Sequence, residues 1–111
     1  MEKWICSVYS NCLDPSREKE FNQWYDTVHL PDILETPGIV RASRFEIKRP
    51  AEGHGKFLAL YEIETEDIRN TMSAMQETTE EKTKQGRMSE LVIVVAVVFS
   101  RQITEPVESK K

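Results

Sequence analysis

The chain reads as an α+β protein of the ferredoxin-like class, β-α-β-β-α-β, with one antiparallel sheet and two helices on one of its faces. Three observations predict this. Three segments alternate with the two-residue period of a strand, a fourth is a short continuous apolar run, and two others carry apolar residues at the spacing of a helix. The middle two strands are joined directly, through the Gly- and Pro-containing loop Pro50-Ala51-Glu52-Gly53-His54-Gly55, so they form a hairpin.

Lys3 to Ser10 is the first strand, with Trp4, Cys6 and Val8 on one face and Ile5 and Tyr9 on the other. Asn11 to Pro15 then turns the chain. Asp14 is placed to cap the first helix and Pro15 to open it, since the first helical turn needs no amide donor there. Phe21, Trp24, Tyr25 and Val28 fall at i, i+3, i+4 and i+7, one buried stripe on a helix running toward Leu30. Pro31 removes a hydrogen bond, so a kink or break is expected there, with a short second turn through Leu34 and a stop at Pro37-Gly38. Gly38 to Arg49 alternates as the second strand, with Ile39, Arg41, Ser43, Phe45 and Ile47 sharing a face. Lys56 to Glu64 is the third, with Phe57, Ala59, Tyr61 and Ile63 facing one way and Leu58 and Leu60 the other. Thr65 is the expected cap of the second helix, whose inner face is Ile68, Met72 and Met75 and whose solvent face is the Glu-Lys run from Glu77 to Lys84. Gly86 ends that helix, and Leu91 to Gln102 is the last strand.

A chain of 111 residues supports a single core. Residues 1–103 are the expected domain and 104–111 a polar tail interrupted by Pro106. Both faces of the third and fourth strands are apolar, and two helices cover only one face of a sheet. A second copy of the chain laid on the other face, a homodimer, is the simplest cover. The 19 acidic and 15 basic residues leave a charge of −4 with scattered cations, which argues against a nucleic-acid partner. Arg41, Arg44, Lys48 and Arg49 read as a solvated strand face. The apolar run Leu91 to Phe99 is too short to span a membrane. No secretory signal is read at the start, and Cys6 and Cys12 read as reduced thiols of a cytoplasmic protein. Cys6 is expected in the core, and a reactive role for Cys12 stays open.

The chemistry concentrates between Glu20 and Gly38. With Phe21 at zero and about 100° per residue, Asn22, Asp26 and His29 fall together at about 80–140°, on one border of the apolar stripe. Asp26 and His29, three apart, can touch on a regular helix. A carboxylate beside an imidazole fixes its tautomer and raises its basicity, as a general base requires. The alternative is a partly buried histidine satisfied by a carbonyl near a helix end, with Trp24 and Tyr25 as core and Asp26 facing water. Tyr61 either presents its hydroxyl to a cavity between helix and sheet or packs with that hydroxyl in water. Tyr9 and Asn11, at the end of the first strand, are placed to line its mouth. Arg41 either points inward as an anion or carbonyl anchor or is carried outward by a bulge. His54, between glycines, is expected in solvent. His29, Asp26 and Asp32 lack a further ligand at metal-binding spacing, and no phosphate loop, nucleophile triad or dinucleotide fingerprint is present.

The run Phe21-Asn22-x-Trp24-Tyr25-Asp26-x-x-His29-x-Pro31-Asp32, followed by Pro37-Gly38, a strand with Arg41 and Arg44, and Leu58-Ala59-Leu60-Tyr61-Glu62, resembles the EthD-like branch of the dimeric α+β barrel superfamily. The resemblance runs from the first strand to the last, and its W-Y-D-x-x-H-x-P core is its specific part. It implies relatives among cofactor-free monooxygenases, polyketide cyclases, muconolactone isomerases, small dehydratases or lyases, and haem-binding proteins, with a pocket between helices and sheet in each protomer of a dimer. The expected function is a cofactor-independent elimination, isomerisation or cyclisation of an aromatic or carbonyl-containing metabolite. His29 would move a proton, Asp26 orient it, and Trp24, Tyr25 and Tyr61 bind the ring or carbonyl, with neither metal nor cofactor. The alternatives are a cofactor-free monooxygenase, a non-catalytic dimeric module that binds a small molecule or supports an enzyme, and haem ligation through His29.

Overall fold

The computed structural model describes residues 1–111. Strands β1 (Glu2–Cys12), β2 (Ile39–Glu46), β3 (Phe57–Thr65) and β4 (Val92–Arg101) form one antiparallel sheet in the order β2-β3-β1-β4. One face is covered by α1 (Glu18–Trp24), α2 (Leu30–Ile33) and α3 (Ile68–Lys84). This is the ferredoxin-like arrangement expected from the residue periods. No helix is long and apolar enough to cross a membrane.

Register decides which side chains meet the helices. Cys6 lies between Tyr61 and Phe99, and Val8 between Ala59 and Val97, so these residues share the helix-covered face. Phe21, Tyr25 and Ile33 close the core from above. On β2 the register shifts between Ile39 and Arg41. Ile39 is therefore buried, whereas Arg41 is exposed and held by Glu62 at 2.6 Å. The single face expected for Ile39, Arg41, Ser43 and Phe45 does not form, because the irregularity turns the strand over after its first residue. Arg44 takes the inward direction instead. Its side chain is only 12% exposed, contrary to the solvated strand face expected for it.

The helices start and stop where local hydrogen bonding allows. Asp14 accepts the Ser16 amide at 3.0 Å and Pro15 opens a 3-10 turn, Pro15–Arg17, that leads into α1. Asp67, not Thr65, caps α3 by accepting the Arg69 amide at 3.0 Å. Thr65 cannot do so because it is still paired with Glu2 in the sheet, and its hydroxyl receives the Asp67 amide instead. The inner face of α3 also differs from expectation: Thr71 and Lys82 are buried while Met72 is 42% exposed. Lys82 remains tolerable there because Glu35 receives its ammonium at 3.0 Å.

Between α1 and α2 the chain does not break at Pro31. A π-helical turn, Tyr25–His29, joins them, with the Leu30 amide bonded to the Tyr25 carbonyl. The wider i→i+5 ring carries the helix past the proline.

Gly55 is buried against β1, and a methyl group there would stand 2.7 Å from the Ser10 nitrogen. Gly55→Ala is expected to destabilise the protein by about 1–3 kcal/mol, read as a lower urea midpoint with unchanged slope.

Candidate functional site

The π turn decides where His29 points. It inserts one residue into the helical count, so His29 takes roughly the direction that residue 28 would have on a regular helix, about 100° from its expected border position. That direction is the centre of the apolar stripe. The imidazole accordingly stacks on Trp24, with centroids 4.8 Å apart and planes 21° from parallel, and meets Tyr25 edge-on at 4.9 Å. Val28, displaced from the stripe, is only half-buried. Trp24 is itself fixed, its indole N–H donating to the Arg87 carbonyl at 2.8 Å.

The imidazole borders a cavity of about 370 Å³ between α2, α3 and the sheet. Val8, Ile33, Met75, Met88, Val97 and Phe99 make its apolar walls, and Tyr61 stands with His29 as the polar part from the sheet side. Gln76, Thr79 and Glu80 supply the polar groups from α3. A mainly apolar hollow with a few polar groups is what a small organic ligand requires.

Burial is the largest influence on the imidazole. It holds the His29 pKa down at about 4, against an upward pull from Asp32 and a further push down from the Arg44 cation. The ring is neutral at pH 7. Burial also raises the Tyr61 phenol, with the neighbouring Tyr25 adding to it, and raises Tyr25, so both hydroxyls stay protonated.

The other residues singled out in the sequence are not all brought together. Asp26 is 59% exposed and bound to Arg44 at 2.9 Å, in a polar groove outside the cavity, so it does not orient His29. The same π turn that moves His29 inward separates the two. The carboxylate acting on His29 is Asp32, which is buried and holds Arg87 through two bonds of 2.7 and 3.0 Å. Arg41 is at the open face on Glu62, away from the cavity. Asn11 ties down the β2–β3 loop by accepting the Lys56 amide at 2.8 Å, and Tyr9 is on the sheet face opposite the helices, so neither lines the mouth. Trp24 and Tyr25 grip the imidazole instead of forming cavity wall. His54 is exposed, as expected. Cys12 is buried and donates its thiol to the Asp14 carbonyl, while burial pushes the Cys6 thiol up to about 11. No group of three or more His, Cys, Asp or Glu side chains is placed to hold a metal ion.

Sequence reasoning gave Asp32 and Arg44 no part in setting His29 and did not single out Arg87. The His29-x-x-Asp32 spacing was a usable signal, obscured by the intervening Pro31. Arg44 packs its guanidinium over the Tyr25 ring at 4.3 Å, a contact made across the sheet–helix interface that no local pattern announces.

No protein-family description matches the chain by sequence, and no curated protein does either. Solved structures share its fold. A dimeric ferredoxin-like protein from an uncultured marine organism superimposes with a TM-score of 0.69 at 12% identity, over 96% of this chain and 99% of that one. An ethyl tert-butyl ether D (EthD) family protein from Bacillus halodurans gives 0.55 at 18% identity, over 93% and 100%. A monooxygenase from Streptomyces coelicolor, in complex with nanaomycin D, gives 0.55 at 18% identity, over 97% and 94%. The chain shares the ferredoxin-like fold of these proteins, an EthD family protein among them.

The depressed His29 pKa ties stability to pH. The unfolded chain takes up a proton near 6.5 and the native ring only near about 4, so the unfolded state holds more protons between these values. Stability is therefore full above pH 6.5 and falls as the pH drops toward 4. His29→Phe should remove about 3 kcal/mol of that loss, measured by urea unfolding across the same range.

Proposed function

We propose that the chain is a cofactor-independent enzyme that moves a proton on a small, mainly apolar carbonyl compound, in an isomerisation, elimination or cyclisation. One observation carries this reading: a neutral imidazole and a protonated phenol, His29 and Tyr61, border the same apolar cavity of about 370 Å³. His29 takes a proton from carbon next to the carbonyl, and the Tyr61 hydroxyl donates to the enolate oxygen that forms. An imidazole held at about 4 makes a strongly acidic imidazolium, which readily returns its proton. Return to a different carbon isomerises the substrate, and delivery to a leaving hydroxyl eliminates water. Neither route consumes an oxidant. In this reading Trp24 and Tyr25 hold the base in place and Asp32 replaces Asp26 as the neighbouring carboxylate.

The monooxygenase of the same fold supports a second reading, cofactor-free oxygenation. The same carbanion would reduce dioxygen, one oxygen atom entering the substrate and the other leaving as water. Oxygen consumption with an oxidisable phenolic substrate separates the two readings.

Dimeric neighbours and the open sheet face support a homodimer. Ile5, Phe45, Ile93 and Val98 stand there with 37–51% of their surface exposed. Val98→Glu should lower the sedimenting mass from two chains to one at micromolar concentration.

The catalytic reading is tested by washing deuterium from solvent into aromatic ketones at the carbon beside the carbonyl. His29→Gln should slow exchange by about 10²–10⁴-fold with little change in ligand affinity. The enzyme-catalysed rate should be level above roughly pH 5 and fall below it with a midpoint near about 4. Unchanged exchange with intact ligand binding would leave a binding module.

A further inference from the structure

We infer that Arg87 is a positioning residue for the imidazole, acting on His29 through two intermediaries, Trp24 and Asp32, from the loop after α3. This rests on the reading of His29 as the proton-transferring group.

Arg87 owes its place to the end of α3. The Gly86 amide bonds to the Thr83 carbonyl at 3.0 Å and the Arg87 amide to the Lys82 carbonyl at 2.9 Å. These two bonds are the paired closure of a Schellman motif, and Gly86 supplies its left-handed residue with φ of +73°. The residue after that glycine is thereby fixed over the ends of α1 and α2.

From this point Arg87 bonds to Trp24 by its backbone and to Asp32 by its side chain. Its carbonyl accepts the Trp24 indole N–H at 2.8 Å, and Trp24 is the surface on which the imidazole stacks. Its guanidinium forks onto Asp32 at 2.7 and 3.0 Å, and that carboxylate has 6% of its side chain exposed. A planar fork fixes both the position and the charge of its partner. Asp32 is the carboxylate that draws protons toward His29, so the cation on Asp32 sets how strongly it draws. The remaining groups that face the ring are Arg44 from β2, the Tyr25 and Tyr61 phenols, and Glu80 across the cavity on α3. None of these bonds to Asp32, leaving Arg87 as its side-chain partner.

Removing the guanidinium takes away the cation bonded to Asp32 and leaves Lys82 as the other one acting on it, while the Arg87 carbonyl stays on Trp24. The carboxylate so released favours the protonated ring. The test is the pH titration of the His29 ring protons by NMR, with His54 identified by its own variant. Arg87→Met should raise the protonation constant of His29 by about tenfold, one pH unit. Arg87→Lys keeps a cation on Asp32, and with it the fold, but loses the fork; its rise should be about threefold. A purely structural role would lower the melting temperature of both variants and leave the midpoint near about 4, and that result overturns the inference. The titration needs no turnover. If His29→Gln leaves exchange unchanged, the catalytic reading falls while the role of Arg87 is still decided by this measurement.

Discussion

A single π-helical turn, Tyr25–His29, governs the rest of the site. A helix with one proline in its path has to break, kink or widen, and this one widens. The extra residue does more than pass Pro31. It carries the imidazole from the rim of the apolar stripe to its middle, between the Trp24 face and the Tyr25 edge. It also points Asp26 at Arg44, outside the cavity. One change in helical count thus sets what His29 touches and which carboxylate it feels.

The consequence for chemistry is a base kept neutral by its surroundings. Stacking against aromatic rings gives the imidazole contact but no solvation, and loss of solvation dominates its proton affinity. Asp32 would counter this more strongly were its charge not spent on Arg87. The result is a weak, unprotonated base at the wall of an apolar hollow that Tyr61 also lines. Two ion pairs stand near the site, Asp32–Arg87 and Asp26–Arg44.

The strand order and the two helical regions were legible because their signals are local. Alternation in Phe57 to Ile63 and the cap at Asp14 each lie within a few residues of the structure they specify. The errors came from departures from ideal period. The register shift at the start of β2 carries Arg41 outward, one of the two placements open to it, and turns Arg44 inward, which its pattern did not show. The pairing of Asp26 with His29 assumed 100° per residue through a turn that does not keep it. His29 itself was legible by residue type and by the aromatics around it, whereas Arg87 was not. Its position depends on how α3 ends and where α1 lies, 63 residues away from Trp24 in sequence, and no pattern within the chain encodes that meeting.

The central claim is that His29 is an uncharged ring held in an aromatic bracket at the cavity wall. The nitrogen-15 shifts of its imidazole in uniformly labelled protein at roughly pH 5.5 test it most directly, since they distinguish the neutral ring from the imidazolium. The account predicts the unequal shifts of a neutral ring with one protonated nitrogen, at a pH where a solvent-exposed histidine is mostly charged. Two nearly equal shifts typical of an imidazolium would place the ring in water or on a carboxylate, and would contradict it.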